Sequence, residues 1–164
     1  KNPSLENKEA VAHAVGVGAV IFHDLKNDRT NNFDFALEEV VQFEGETGPY
    51  VQYTHARAMS ILRKANHIVD TQAAFSLTDD DAWEVLKLIE NYPNVVRFAE
   101  EKCEPSAIAK YVINLAQAFN KYYAHTKVLV EDEAFNSRIA LVQTTASILK
   151  QGLALLGVDA PDEM

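Results

Sequence analysis

Phe135, Ile139, Val142, Ala146, Leu149, Leu153 and Leu156 recur at alternating steps of four and three. That spacing draws one continuous apolar stripe along an α-helix, and such a helix must bury its stripe against something. Gly157 follows at once as a C′ residue, and Pro161 prevents the helix from resuming. Ile108, Val112, Leu115, Phe119 and Tyr122 repeat the rhythm, with Pro105 placed at a first helical turn. Thr78 and Asp81 form a capping arrangement, and the Asp79-Asp80-Asp81 run suits the positive end of a helix dipole. Asn91-Tyr92-Pro93 should end that helix and start another. Nearer the beginning, Val11, Val15, Gly18, Phe22 and Leu25 mark a first helix, although glycine inside a helix costs about 1 kcal/mol relative to alanine. A short helix is expected from Ala36 to Phe43, and Glu44-Gly45-Glu46-Thr47-Gly48-Pro49 is the strongest punctuation in the chain. With no alternating strand pattern and no internal repeat, the fold class is all-α, a helical bundle.

Composition narrows the classes of function. The chain has 164 residues, 48% of them apolar, with six Gly and five Pro, enough for one domain with a real core. The single cysteine, Cys103, cannot form an internal disulfide, which points to a reducing cytoplasm. It is expected to be a small, buried or half-buried residue without a redox role. No apolar run is long enough to span a bilayer. A chain that opens on Lys1 in a polar approach to a helix looks like an excised piece, so targeting signals are open. The net charge of -9 counts against nucleic acid as a partner, so any such partner must be argued from local features.

Catalytic and metal motifs fail in turn. Gly16-Val17-Gly18 lacks the third glycine and the preceding strand of a dinucleotide loop. The five histidines show no metal-ligand spacing with Cys103. Glu9 and His13 lie one turn apart, but no second such pair completes a di-metal site. The Asp79–Asp81 run lacks the glycine and distal glutamate of a calcium loop, and no Gly-x-Ser-x-Gly elbow or phosphate loop occurs.

One constellation remains. At 100° per residue, the segment Pro49-Tyr50-Val51-Gln52-Tyr53-Thr54-His55-Ala56-Arg57-Ala58 divides into two faces. Val51, His55, Ala58, Leu62 and Ala65 make the core face, with His55 as a hydrogen-bonded core histidine. Tyr50, Tyr53, Arg57 and Lys64 gather on another side. Two rings and a guanidinium so spaced can stack unpaired bases and hold a phosphate. Tyrosines at helical spacing serve equally in packing between helices, and a protein partner is a third use. Trp83 is expected to anchor packing between helices.

The stretch Phe43-Glu44-Gly45-Glu46-Thr47-Gly48-Pro49-Tyr50-Val51-Gln52-Tyr53-Thr54-His55-Ala56-Arg57 closely resembles a signature of arginyl-tRNA synthetases. Ala14-Val15-Gly16-Val17-Gly18-Ala19 and Asp24-Leu25-Lys26-Asn27 resemble the family's lead-in to it. Ala118-Phe119-Asn120-Lys121-Tyr122-Tyr123, Arg138-Ile139-Ala140-Leu141, Leu155-Leu156-Gly157-Val158 and the terminal Met164 resemble its C-terminus, so the likeness covers essentially the whole chain. It implies an anticodon-binding bundle of the class I synthetase type at 45–164, with residues 1–44 leading from a catalytic domain and buttressing the tRNA stem. It also implies that Tyr50, Tyr53, Arg57, Tyr123 and Met164 meet the anticodon loop of tRNA(Arg), with Tyr123 preferred to Tyr122, which lies on the apolar stripe. Glu163 departs from the family's pattern, which commonly has arginine there. The parent enzyme would be an arginine-tRNA ligase using ATP with magnesium, acting as a cytoplasmic monomer on RNA and not DNA. This piece, without the ATP-holding motifs, would carry no catalytic residue, cofactor or metal. The alternative is a helical protein-interaction module that binds no RNA, which suits the acidic charge better.

Overall fold

The computed structural model describes Leu5 and residues 7–164, and every element in them is helical. The order is α1 (Lys8–Lys26), α2 (Leu37–Val40), α3 (Gly48–Ala65), α4 (Asp80–Lys102), α5 (Pro105–His125) and α6 (Phe135–Leu155). The all-α expectation is met. Helix α5 is the pillar, packing against α1, α3, α4 and α6. Its stripe explains why: Val112, Leu115, Phe119 and Tyr122 are fully buried and Ile108 nearly so. Burying each such side chain is worth about 1.5–3 kcal/mol. The α6 stripe behaves alike, with Ile139, Val142, Leu149 and Leu153 losing all contact with solvent.

Helix α6 ends as its sequence demands. Gly157 takes φ +71°, its N–H donates to the Ala154 carbonyl, and the Val158 N–H reaches back to Leu153 at 2.9 Å. This doubly bonded turn needs a left-handed residue at the glycine. It sends residues 158–164 back along α3.

Helices α1 and α3 cross at two glycines. A Cβ on Gly48 would lie 3.0 Å from the Gly18 carbonyl oxygen and 2.8 Å from Phe22 Cβ, while one on Gly18 would meet Gln52 Nε2 at 2.8 Å. Gln52 itself is buried and donates to the carbonyls of Ala14 and Asp159, tying α1 and the tail to α3.

Five expectations need correction. Pro93 does not divide a helix: α4 runs through it unbroken. A proline there forfeits one backbone hydrogen bond, but Tyr92 stacks on Tyr111 at 5.5 Å and the Tyr111 hydroxyl donates to the Leu88 carbonyl. Packing on α5 therefore outweighs the local break. The α4 cap is Asp79, not Thr78; its carboxylate accepts the Ala82 N–H at 2.7 Å. The predicted helix from Ala36 to Phe43 shrinks to the single turn of α2, because the Gln42 carbonyl turns aside to accept the Thr47 hydroxyl. Trp83 is 60% exposed rather than buried between helices, since Ala82 and Val85 occupy the inward face of α4. Cys103 is exposed, because it is the left-handed cap (φ 51°) that turns the chain from α4 into α5.

Candidate nucleic-acid interface

Helix α3 begins with Thr47, whose Oγ1 accepts the Tyr50 N–H at 3.2 Å, and with Pro49 in its first turn. Serine-like caps and early prolines both favour a helix start, so the helix face carrying Tyr50 and Tyr53 is fixed from its first residue. Val51 and Ala58 point into the core and are fully buried. His55 is buried among them, hydrogen-bonded to Ala146 and Asp162 as a satisfied core histidine should be.

On the opposite side the guanidinium of Arg57 lies over two rings, 5.0 Å from the centroid of Tyr53 and 5.6 Å from that of Tyr123. Cation–π contact of this kind favours a guanidinium within about 6 Å of the ring. Tyr53 is 39% exposed and Tyr123 40%, whereas Tyr122 is sealed in the core, where burial pushes its hydroxyl pKa upward. Tyr123 in turn stacks on Phe119 at 6.5 Å, and Phe43 meets Tyr53 edge-on at 6.2 Å. Among the described residues Arg57 makes no ion pair. Its one hydrogen bond goes to an uncharged amide, Asn120 Oδ1, at 2.6 Å.

Asn120 organises this corner. Its Nδ2 donates to the Tyr50 hydroxyl at 3.0 Å and to Thr54 Oγ1 at 2.9 Å, while its oxygen receives Arg57. One amide from α5 thus fixes three groups of α3. A cavity of about 520 Å³ opens beside it, lined by Phe43, Glu44, Tyr50, Tyr53, Arg57, Asn120 and Met164. A second hollow of about 470 Å³ continues past Tyr53 and Arg57 to Lys64, Tyr123 and Met164.

All five residues singled out in the sequence therefore line one connected surface, although Tyr50 is half-buried and anchored by its hydroxyl. Three residues lining the first cavity were missed. Asn120 stands three residues before Tyr123, a spacing that puts both on one helix face, and Phe43 and Glu44 open the signature stretch. Glu163, the departure from the expected arginine, pairs with Arg63 at 3.3 Å. A larger groove of about 810 Å³ between α1 and the tail is lined by Ala10, Val11, Ala14, Lys150, Asp159 and Asp162, among others. It carries no aromatic ring and more carboxylates than cations, a poor surface for an RNA loop.

Residues 51–164 match the sequence model of the DALR anticodon-binding domain. The chain belongs to that family. Over its whole length this DALR domain is 65% identical to the arginine–tRNA ligase of Enterococcus faecalis and 58% identical to that of Streptococcus thermophilus. It spans only 29% of either relative. Among solved structures it superposes on the Thermus thermophilus arginyl-tRNA synthetase with a TM-score of 0.90 and 36% identity, covering 99% of this chain and 29% of that one. The Plasmodium falciparum arginyl-tRNA synthetase gives 0.89 at 25% identity, covering 97% and 29%. No helix among the described residues is long and apolar enough to cross a membrane.

Proposed function

We propose that this DALR domain is the C-terminal part of an arginine–tRNA ligase and that it recognises the anticodon loop of tRNA(Arg). The observation that carries the reading is Arg57, held between two exposed tyrosine rings with no ion-pair partner among the described residues. The rings supply stacking faces for unpaired bases, and the guanidinium supplies a charge for a phosphate. Tyr50, Tyr53, Arg57, Tyr123 and Met164 form the base-contacting set, with Asn120 holding Arg57 and Tyr50 in place. Arginine anticodons share a middle cytosine, so one pocket for that base serves every isoacceptor. Activation of arginine with ATP and magnesium, and its transfer to the tRNA, belong to the remainder of the relatives' length. Residues 1–44 lead towards that catalytic domain of the same chain, and the enzyme works in the cytoplasm as a monomer.

The test is fluorescence anisotropy with an arginine-type anticodon stem-loop, beside a matched loop whose middle cytosine is replaced. Preference for the cytosine loop, with affinity falling steeply as salt rises, is the expected result. Equal, salt-insensitive binding of both loops would sink the reading and favour a protein-docking face.

A further inference from the structure

His55 is buried, and each ring nitrogen faces a group that can only accept. Nδ1 lies 3.1 Å from the Ala146 carbonyl oxygen of α6, and Nε2 lies 3.1 Å from Asp162 Oδ1 of the tail. A neutral imidazole has one N–H and one lone pair, and so can satisfy only one of these partners. Both bonds form together only when the ring carries two protons or the carboxyl carries one. The bond from His55 first, and Lys150 with it, hold the Asp162 carboxyl below its usual range, against the opposing effect of burial. With the carboxyl ionised, the two bonds together call for a proton on each ring nitrogen.

The surrounding groups fit that assignment. Lys150 of α6 reaches the same oxygen of Asp162 at 3.2 Å, Arg63 of α3 donates to the Asp162 carbonyl, and Arg63 also pairs with Glu163. From α1, Asn7, Ala10, Val11 and Ala14 reach this end, none of them charged. Two residues beyond Asp162, Met164 lines both hollows of the tyrosine surface. We propose that His55, acting through Asp162, is a positioning residue for Met164: the imidazolium holds the tail against α3 and so sets the terminal side chain into the cavity. This rests on the anticodon reading only for what the cavity binds, not for how the tail is held.

The chain has two methionines, Met164 in the tail and Met59 packed against the core, so methyl-labelled methionine gives a reporter and an internal control. The methyl resonances are followed by NMR through the titration of the His55 ring, which is observed in parallel. In the unaltered chain the Met164 methyl should hold its ordered position while the ring is protonated. It should shift towards the position of a free peptide as the ring loses its proton, with the same midpoint, while Met59 stays still. Asp162→Ala should loosen Met164 at every pH and abolish its pH dependence, with the Arg63 bonds to the tail backbone and Glu163 left in place. Asp162→Asn should hold it at every pH, because an amide can turn either its oxygen or its NH₂ towards Nε2. A structural histidine that merely fills space would not give these three behaviours. A Met164 methyl that ignores the ring's titration overturns the proposal, as does Asp162→Asn retaining the pH dependence of the unaltered chain. In the anisotropy assay, Asp162→Ala should weaken the cytosine loop about fivefold, the low end of losing one contact to a base. A chain whose Met164 responds as described but which binds no loop refutes the RNA reading and leaves the tail mechanism standing.

Discussion

Replacing Asn120 by aspartate tests the electrostatic part of the interface without changing its shape. The side chain is isosteric, and the oxygen that receives Arg57 Nη1 at 2.6 Å stays where it is. What changes is charge: a guanidinium with a neutral partner acquires a carboxylate. Two unit charges about 4 Å apart attract by about 4 kcal/mol at an effective dielectric constant of about 20. Arg57 opens onto a solvent-lined cavity, so screening reduces this to about 1 kcal/mol, in line with other exposed pairs. A phosphate must compete against that pairing, and loop affinity should fall about five- to tenfold. The salt dependence carries the sharper signature. Each phosphate contact on a single strand contributes about -0.7 to the slope of log K against log salt, so N120D should flatten that slope by about that amount. Folding should lose only about 1 kcal/mol, because the Tyr50 hydroxyl can turn to donate to the new carboxylate, while the Thr54 hydroxyl must give up the Tyr50 carbonyl to do the same. The measurements are anisotropy at several salt concentrations and a thermal melt. If N120D binds the loop as tightly as the unaltered chain, with an unchanged slope, Arg57 touches no phosphate and the electrostatic argument fails.

Tyr53→Ala should cost about 1–3 kcal/mol of loop binding if the ring stacks on a base, with little change in melting temperature; a collapse in stability with affinity retained would make Tyr53 a packing residue instead. Gly152→Ala would bring a Cβ within 2.4 Å of Val112 Cγ1, where α6 meets α5. Such overpacking should lower stability by about 1–3 kcal/mol in a denaturant titration, and an unchanged midpoint would show that the helices can part there freely. The carboxyl of Asp81 is held below its ordinary pKa, by the hydrogen bond from Lys121 first and that from His125 second. A lowered carboxyl contributes stability that is complete above its unfolded pKa and is lost as pH falls through the folded one. Melts through the acid range should therefore be less pH-dependent in Asp81→Asn than in the unaltered chain, and parallel curves would contradict the assignment.

The helical stripes of α5 and α6 were legible because burial follows a period that a chain of letters displays directly. The turn at Gly157 was legible for a related reason: only one residue type takes that backbone conformation without cost. Pro93 misled because its local cost is visible in sequence, while the Tyr92–Tyr111 stack that offsets it joins residues on different helices. Trp83 misled because size was taken for burial, although the helix phase set by Ala82 and Val85 turns it outward. At the interface, Tyr50, Tyr53 and Arg57 share one helix and were found together. Tyr123 and Met164 were placed by resemblance, with helical periodicity favouring Tyr123 over Tyr122. Asn120 escaped notice because its importance lies in three bonds across to α3, and no spacing within α5 announces them.

The glycine crossing of α1 and α3 has a mechanical meaning. Where Gly18 meets Gly48 the helices sit so close that a Cβ on either glycine would run into its neighbours. Tyr50 and Tyr53 follow within the next five residues of α3. The close crossing thus sets the first turns of α3, and the two rings they carry, directly against α1, so the tyrosine platform is referenced to whatever holds α1.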